Sequence, residues 1–173
     1  MPAATAKMQA TGLPLQLGGL KIISGGQTGV DRAALDAALK HGIECGGWCP
    51  AGRLDEFGRI PDRYPVKELE HGSFVERTMQ NVKDSDATAV IYFEKLRGGT
   101  EQTVRFCIEQ HRLHKLINAA ELSAERAAEL VAELVREKKT STLNVAGPRE
   151  SEWPQGYDYA FRALDIFLSR LKL

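Results

Sequence analysis

LKIISGGQTGVDRAALDAAL, residues 20–39, is the stretch on which the fold turns. Residues 20–24 form a short apolar run with strand character, and Gly25-Gly26 stops it. Residues 30–41 then read as a helix. Ala33, Ala34, Ala37 and Ala38 give it a small-residue face that can approach a sheet closely, and Gly42 ends it. A strand, a glycine-rich turn and a closely packing helix make the opening half of a crossover to a parallel strand.

The rest of the chain repeats that alternation. Residues 43–49 are a weak strand, and residues 51–70, rich in Gly, Pro and Arg, look like a long loop. Ser73 with Glu76 is a capping box for a helix over 73–83, and 87–93 (ATAVIYF) is the strongest strand. Gly98-Gly99-Thr100 leads into a helix with Val104, Cys107, Ile108 and His111 on one face, followed by a short strand at 115–118. Ser123 caps a helix that turns Ala127, Leu130, Val131, Leu134 and Val135 inward. A strand at 142–146 ends at Gly147-Pro148, and a closing helix buries Tyr157, Ala160, Phe161, Leu164, Phe167, Leu168 and Leu171. Alternating strands and helices predict an α/β domain over residues 20–173, doubly wound, with a mostly parallel sheet and helices on both faces. Residues 1–19, small and polar and broken by Pro14, read as a flexible N-terminal arm.

Composition bounds the function. The chain has 173 residues, 43% apolar and 27% charged, which is the make-up of one globular domain. Lys plus Arg is 23 and Asp plus Glu is 23, so it lacks the basic excess of a nucleic-acid or anionic-membrane binder. No run is long and apolar enough for a membrane span, and no secretory signal opens the chain. Three cysteines without an export signal read as reduced thiols in a cytoplasmic protein.

In such a fold ligands sit beyond the carboxyl ends of the strands, so three strand-to-helix turns matter. In the first, Gly25, Gly26 and Gly29 leave backbone N–H groups free to face an anion at a helix N-terminus. Ser24, Gln27 and Thr28 add hydrogen-bonding groups there, and Arg32 adds a guanidinium fork. A plain tight turn, with Asp31 favouring the helix N-terminus, fits the same residues. The second turn is Arg97-Gly98-Gly99-Thr100, and the third carries Gly147, Arg149 and Ser151. Three turns, each with an arginine, would ring one crevice with positive potential and predict a small anionic ligand.

Other residues are read as structural. Cys45 and Cys49 lack the partners of a metal site, so no structural metal is expected. Trp48 suits either core packing or stacking on a flat ring. His111 and His114, taken as three apart on one helix, find no third ligand, and Asp84 and Asp86 are turn and helix-end residues.

Six segments, GGQTGVDRAALDAAL (25–39), GGWCPAGR (46–53), IPDRYP (60–65), NVKDSDATAVIYF (81–93), RGGT (97–100) and LNVAGPRES (143–151), resemble the molybdenum carrier proteins. These are circularly permuted YpsA-like members of the SLOG superfamily. The resemblance runs from about residue 20 to 171 and implies a Rossmann-like fold in a homodimer or homotetramer. It also implies a pocket for a phosphate-bearing anion. In algal relatives that ligand is molybdenum cofactor, so the cofactor or molybdate is the implied cargo, and molybdoenzymes or cofactor-synthesis proteins are the implied partners. The family's ligand loops carry over as Gly25, Gly26, Thr28 and Arg32; Arg97, Gly98, Gly99 and Thr100; and Gly147, Arg149 and Ser151. A related branch of phosphoribohydrolases uses a motif similar to PGGxGTxxE. Here Thr103 stands where its glutamate would, and Glu101 is adjacent to Thr100 instead. Residues one apart on a helix point about 100° apart, so Glu101 is only a weak catalytic candidate. A nucleotide-sensing module remains a third reading.

Overall fold

The computed structural model describes residues 15–16, 18–137 and 139–172. In chain order its elements begin with β1 (Leu15–Gln16), β2 (Lys21–Ile23), α1 (Val30–Lys40), β3 (Glu44–Gly46) and β4 (Trp48–Cys49). Next come β5 (Leu54–Asp55), β6 (Gly58–Arg59), β7 (Lys67–Glu68), α2 (Phe74–Lys83) and β8 (Ala87–Tyr92). The chain closes with α3 (Gly98–Glu109), β9 (Leu113–Asn118), α4 (Ala124–Glu137), β10 (Thr142–Ala146), α5 (Gly156–Ser169) and β11 (Leu171–Lys172).

Five strands form one sheet in the order β3-β2-β10-β8-β9, every pairing parallel. The last-made strand, β10, is the central one, because α4 carries the chain from the β9 edge back to the gap between β2 and β8. The turns after β2, β8 and β10 therefore lie at the same carboxyl edge. Side chains alternate across the sheet. Ile22, Ala87, Ala89, Ile91, Leu143 and Val145 face the main core built with α1, α4 and α5. On the other face α2 packs on α3, and Val82, Phe106 and Cys107 form a smaller core. This is the single-domain Rossmann-like α/β fold expected.

The capping box of α2 is present in full. Ser73 Oγ accepts from Val75 N, and Glu76 Oε2 accepts from Ser73 N. Three expectations need correction. The 51–70 stretch is no open loop: it holds the β5–β6 hairpin and β7, which pairs with β4. Ile60, Tyr64 and Val66 pack there with Leu35 and Cys49 in a second small core, which gives the segment its own apolar anchor. The helix after Gly98 ends at Glu109, so His111 (φ 51°) lies in a turn and His114 on β9. Ile108, expected inward, is 61% exposed because the helix face carrying Val104 and Cys107 leaves it outside. Of the expected arm, residues 1–14 and 17 lie outside the described residues, while β1 pairs in parallel with β11. Among the described residues no helix is long and apolar enough to cross a membrane.

Candidate functional site

At the carboxyl edge a small open cleft of about 50 Å³ lies among the three turns. The first turn contributes Gly25, Gln27 and Asp31, and the second Gly99, Thr100 and Thr103. Gly147, Arg149 and Glu152 come from the third. The fourth wall is α2, with Arg77, Thr78 and Asn81. All three turns reach the cleft, but of their three arginines only Arg149 lines it, and the second lining guanidinium, Arg77, comes from a helix.

The first turn holds itself together with its own amides. Gly26 N donates to Ser24 Oγ, Gln27 N to Asp31 Oδ2, Thr28 N to Gln27 Oε1, and Val30 N to Pro148 O. The anion cradle expected from the backbone of residues 25–30 is therefore largely self-satisfied. What it offers the cleft is a side chain. Gln27 is 4% exposed, and its Oε1 accepts from both Thr28 N and Glu56 N. That fixes the amide so that Nε2 is the free end, and Nε2 is buried without a hydrogen-bond partner. A buried donor left unmade costs about 1–3 kcal/mol, so it marks a place built for an acceptor.

Arg77 carries a second such donor. Its Nη1 donates to Asp31 Oδ2 at 3.1 Å in a pair with both side chains nearly buried, while its Nε has no partner. Gly25 permits the approach: a Cβ there would lie 1.2 Å from Arg77 Nη1. Burial raises the Asp31 carboxyl above the usual aspartate range, and the Arg77 charge and hydrogen bond oppose that rise. The first turn of α3 completes the donor set. The Gly98 and Gly99 N–H groups have no intrahelical acceptor, and the helix end carries partial positive charge. The ring of Phe74, 37% exposed, lies 5.8 Å from the Arg77 guanidinium carbon and 6.0 Å from that of Arg149.

Several predicted residues sit elsewhere. Arg32 lies off the cleft: it pairs with Asp55 at 2.9 Å, donates to Gly26 O and covers the Tyr64 ring. Arg32→Ala is accordingly expected to lower stability by roughly 2–3 kcal/mol, through the nearly buried Asp55 left alone. Anion affinity should change by less than about twofold, since the charge is already neutralised locally; urea melts and titration calorimetry on the same sample measure both. Thr28 and Ser151 are joined by Glu56, at the tip of the β5–β6 hairpin. Glu56 accepts from Thr28 Oγ1, Ser151 N and Ser151 Oγ. Partial burial pushes the Glu56 carboxyl up, but those hydrogen bonds outweigh it and hold it below the usual glutamate value. A Cβ on Gly26 would point at Ile60 (3.0 Å) and Val66 (3.5 Å), and Arg97 is the exposed residue before α3. Glu101 points away from the cleft, 56% exposed and 4.0 Å from Arg105.

Gly147 is needed for closeness: a Cβ would meet Ile91 O at 2.4 Å and the Val30 side chain at 2.7 Å. At the opposite edge Asp86 accepts from Ser141 and Thr142, and Asp84 accepts from Trp48 Nε1, which accounts for all three residues structurally. Among the described residues no cluster of His, Cys, Asp or Glu could hold a metal ion.

A parallel sheet whose carboxyl-edge turns border a donor-lined cleft defines a Rossmann-like α/β domain. Residues 22–168 match the model of the circularly permutated YpsA SLOG family, and the chain belongs to that family. The crystal structure of a "putative molybdenum carrier protein" from Syntrophus aciditrophicus is 41% identical, with a TM-score of 0.84. The match covers 90% of this chain and 96% of that one. No curated protein matches significantly.

Proposed function

We infer that this protein binds and carries a small oxyanion-bearing molecule, with molybdate or molybdenum cofactor as its cargo, and leaves that cargo chemically unchanged. The observation that supports this best is the pair of buried, unpartnered donors, Gln27 Nε2 and Arg77 Nε, on residues lining the same cleft. Both are N–H groups, so what they lack is an acceptor oxygen. Thr100 of α3 and Arg149 stand on the same lining and extend the set. The molybdenum part of the reading leans on the neighbour described as a molybdenum carrier. Hand-over to enzymes that use molybdenum, from a homo-oligomeric carrier, belongs to the same reading.

A phosphoribohydrolase reading finds little support, since Glu101 is turned to solvent and paired with Arg105. Gently purified protein should release molybdenum by metal analysis, or a phosphorylated pterin by mass spectrometry, and should bind molybdate in titration calorimetry. Free base liberated from nucleoside monophosphates would overturn the carrier assignment. Recovery of neither molybdenum nor any phosphorylated compound, together with no binding, would remove the anion site itself.

A further inference from the structure

The geometry points to Glu152 as an internal stand-in for the cargo's anionic group, a carboxylate that an incoming ligand must displace and that sets which anions succeed. This rests on the anion-binding reading above and names the charge class the cleft accepts.

Glu152 lines the cleft, and its Oε1 lies 3.5 Å from Arg149 Nε. The same oxygen is 3.7 Å from where a Cβ on Gly98 would stand, beside the first residue of α3. Glu152 thus sits at two of the features an oxyanion would use, a cleft guanidinium and a helix N-terminus. The helix end does not stand alone as evidence. Gln27 Nε2, in a side chain 96% buried, faces the same space without an acceptor, so the internal carboxylate leaves the deeper donor unmet.

The backbone under Glu152 is held while its side chain is free to swing. Glu152 N and Trp153 N both donate to Arg149 O, and the buried Trp153 stacks on Phe93 with centroids 5.7 Å apart. Glu152 itself is exposed and three side-chain torsions separate its carboxylate from that anchor. Displacement therefore needs no movement of the turn.

The charge arithmetic then selects ligands. A monocarboxylate would exchange one negative charge for another and gain little. A tetrahedral dianion, such as molybdate or a phosphate monoester, brings a second charge and further oxygens that reach Gln27 Nε2 and Arg77 Nε. When the dianion leaves, the carboxylate returns to Arg149, which lowers the barrier to release that a carrier has to overcome.

Titration calorimetry with sodium molybdate, inorganic phosphate and acetate tests this on the full chain. Glu152→Gln removes the competing charge and should tighten molybdate and phosphate about tenfold, the worth of one like charge at the cleft mouth. It should also bring acetate into measurable range. Glu150→Gln removes the same charge two residues away, on a side chain that lines a different cavity beside Tyr64 and Tyr157, and should change each affinity by less than about twofold. Unchanged or weaker dianion binding by Glu152→Gln, while the unaltered protein binds, would overturn the inference and leave the carrier reading intact. Equal tightening by Glu150→Gln would also overturn it, since general electrostatics would suffice. Absence of binding by every form would bring down both.

Discussion

Arg77→Ala is expected to cost the fold about 3–5 kcal/mol at neutral pH, the penalty for a buried ion pair that loses one partner. Asp31 is 4% exposed and takes its charge compensation chiefly from Arg77. Burial already holds its folded pKa above the unfolded one, near 3.8. Without Arg77 that value climbs further, because the guanidinium's charge and hydrogen bond are what oppose burial. The sign follows by linkage. The folded state binds the Asp31 proton more tightly than the unfolded chain, so ionisation opposes folding. The deficit is complete above the folded pKa and shrinks as pH falls through it towards the unfolded value. Urea melts of both proteins should therefore converge as pH falls towards the unfolded value. Glu56 behaves oppositely, since its folded pKa is depressed, but it does so in both proteins and cancels in the difference. Asp31→Asn placed in the Arg77→Ala background should recover part of the loss at neutral pH. Because Arg77 Nε is also one of the unmet donors, affinity for molybdate should fall more than about tenfold. A pH-independent deficit would show that Asp31 is compensated from elsewhere.

Gly29→Ala should destabilise by about 2–5 kcal/mol, combining a left-handed backbone with overpacking. Gly29 has φ 79°, and a Cβ there would lie 2.5 Å from Pro148 O and 2.9 Å from Glu150 N. Those are backbone atoms of the third turn, which cannot rotate away as a side chain can. Separating the turns strains the Val30 N to Pro148 O bond and the Glu150 N to Thr28 Oγ1 bond that join them. Gln27 and Arg149 sit on opposite sides of that seam, so anion affinity should drop alongside the melting temperature. A variant that melts normally but binds weakly would mean the turns part without unfolding. One that keeps both properties would show that the seam carries no strain.

The elements were readable locally wherever one physical rule governed them. Ser73 and Glu76 announced the start of α2, the alanine face of α1 announced close packing on a sheet, and residues 87–93 announced the strand that became β8. Local rules failed where a distant partner decided. The 51–70 segment resembled a loop because its strands are two residues long, and only burial of Ile60, Tyr64 and Val66 against Leu35 and Cys49 gives it form. Within the site, Arg77 was missed because one arginine on an amphipathic helix looks like any solvated residue. The available signal was Asn81, four residues on and so on the same helix face as Arg77, a polar residue that the fold leaves only 3% exposed. Arg32 was misplaced for the converse reason, since nothing near it in the chain revealed that Asp55 would claim it.

From the order of residues alone came the parallel α/β architecture and the sheet edge at which the glycine-rich turns gather. Hydrophobic period, capping and glycine stops are properties of neighbours along the chain, and they suffice for that much. Which arginines line the cleft was decided only in three dimensions. A guanidinium goes to whichever carboxylate burial brings within reach, Asp55 for Arg32, Asp31 for Arg77 and Glu152 for Arg149. That pairing depends on separations in space of a few ångströms between residues as many as 46 positions apart in sequence.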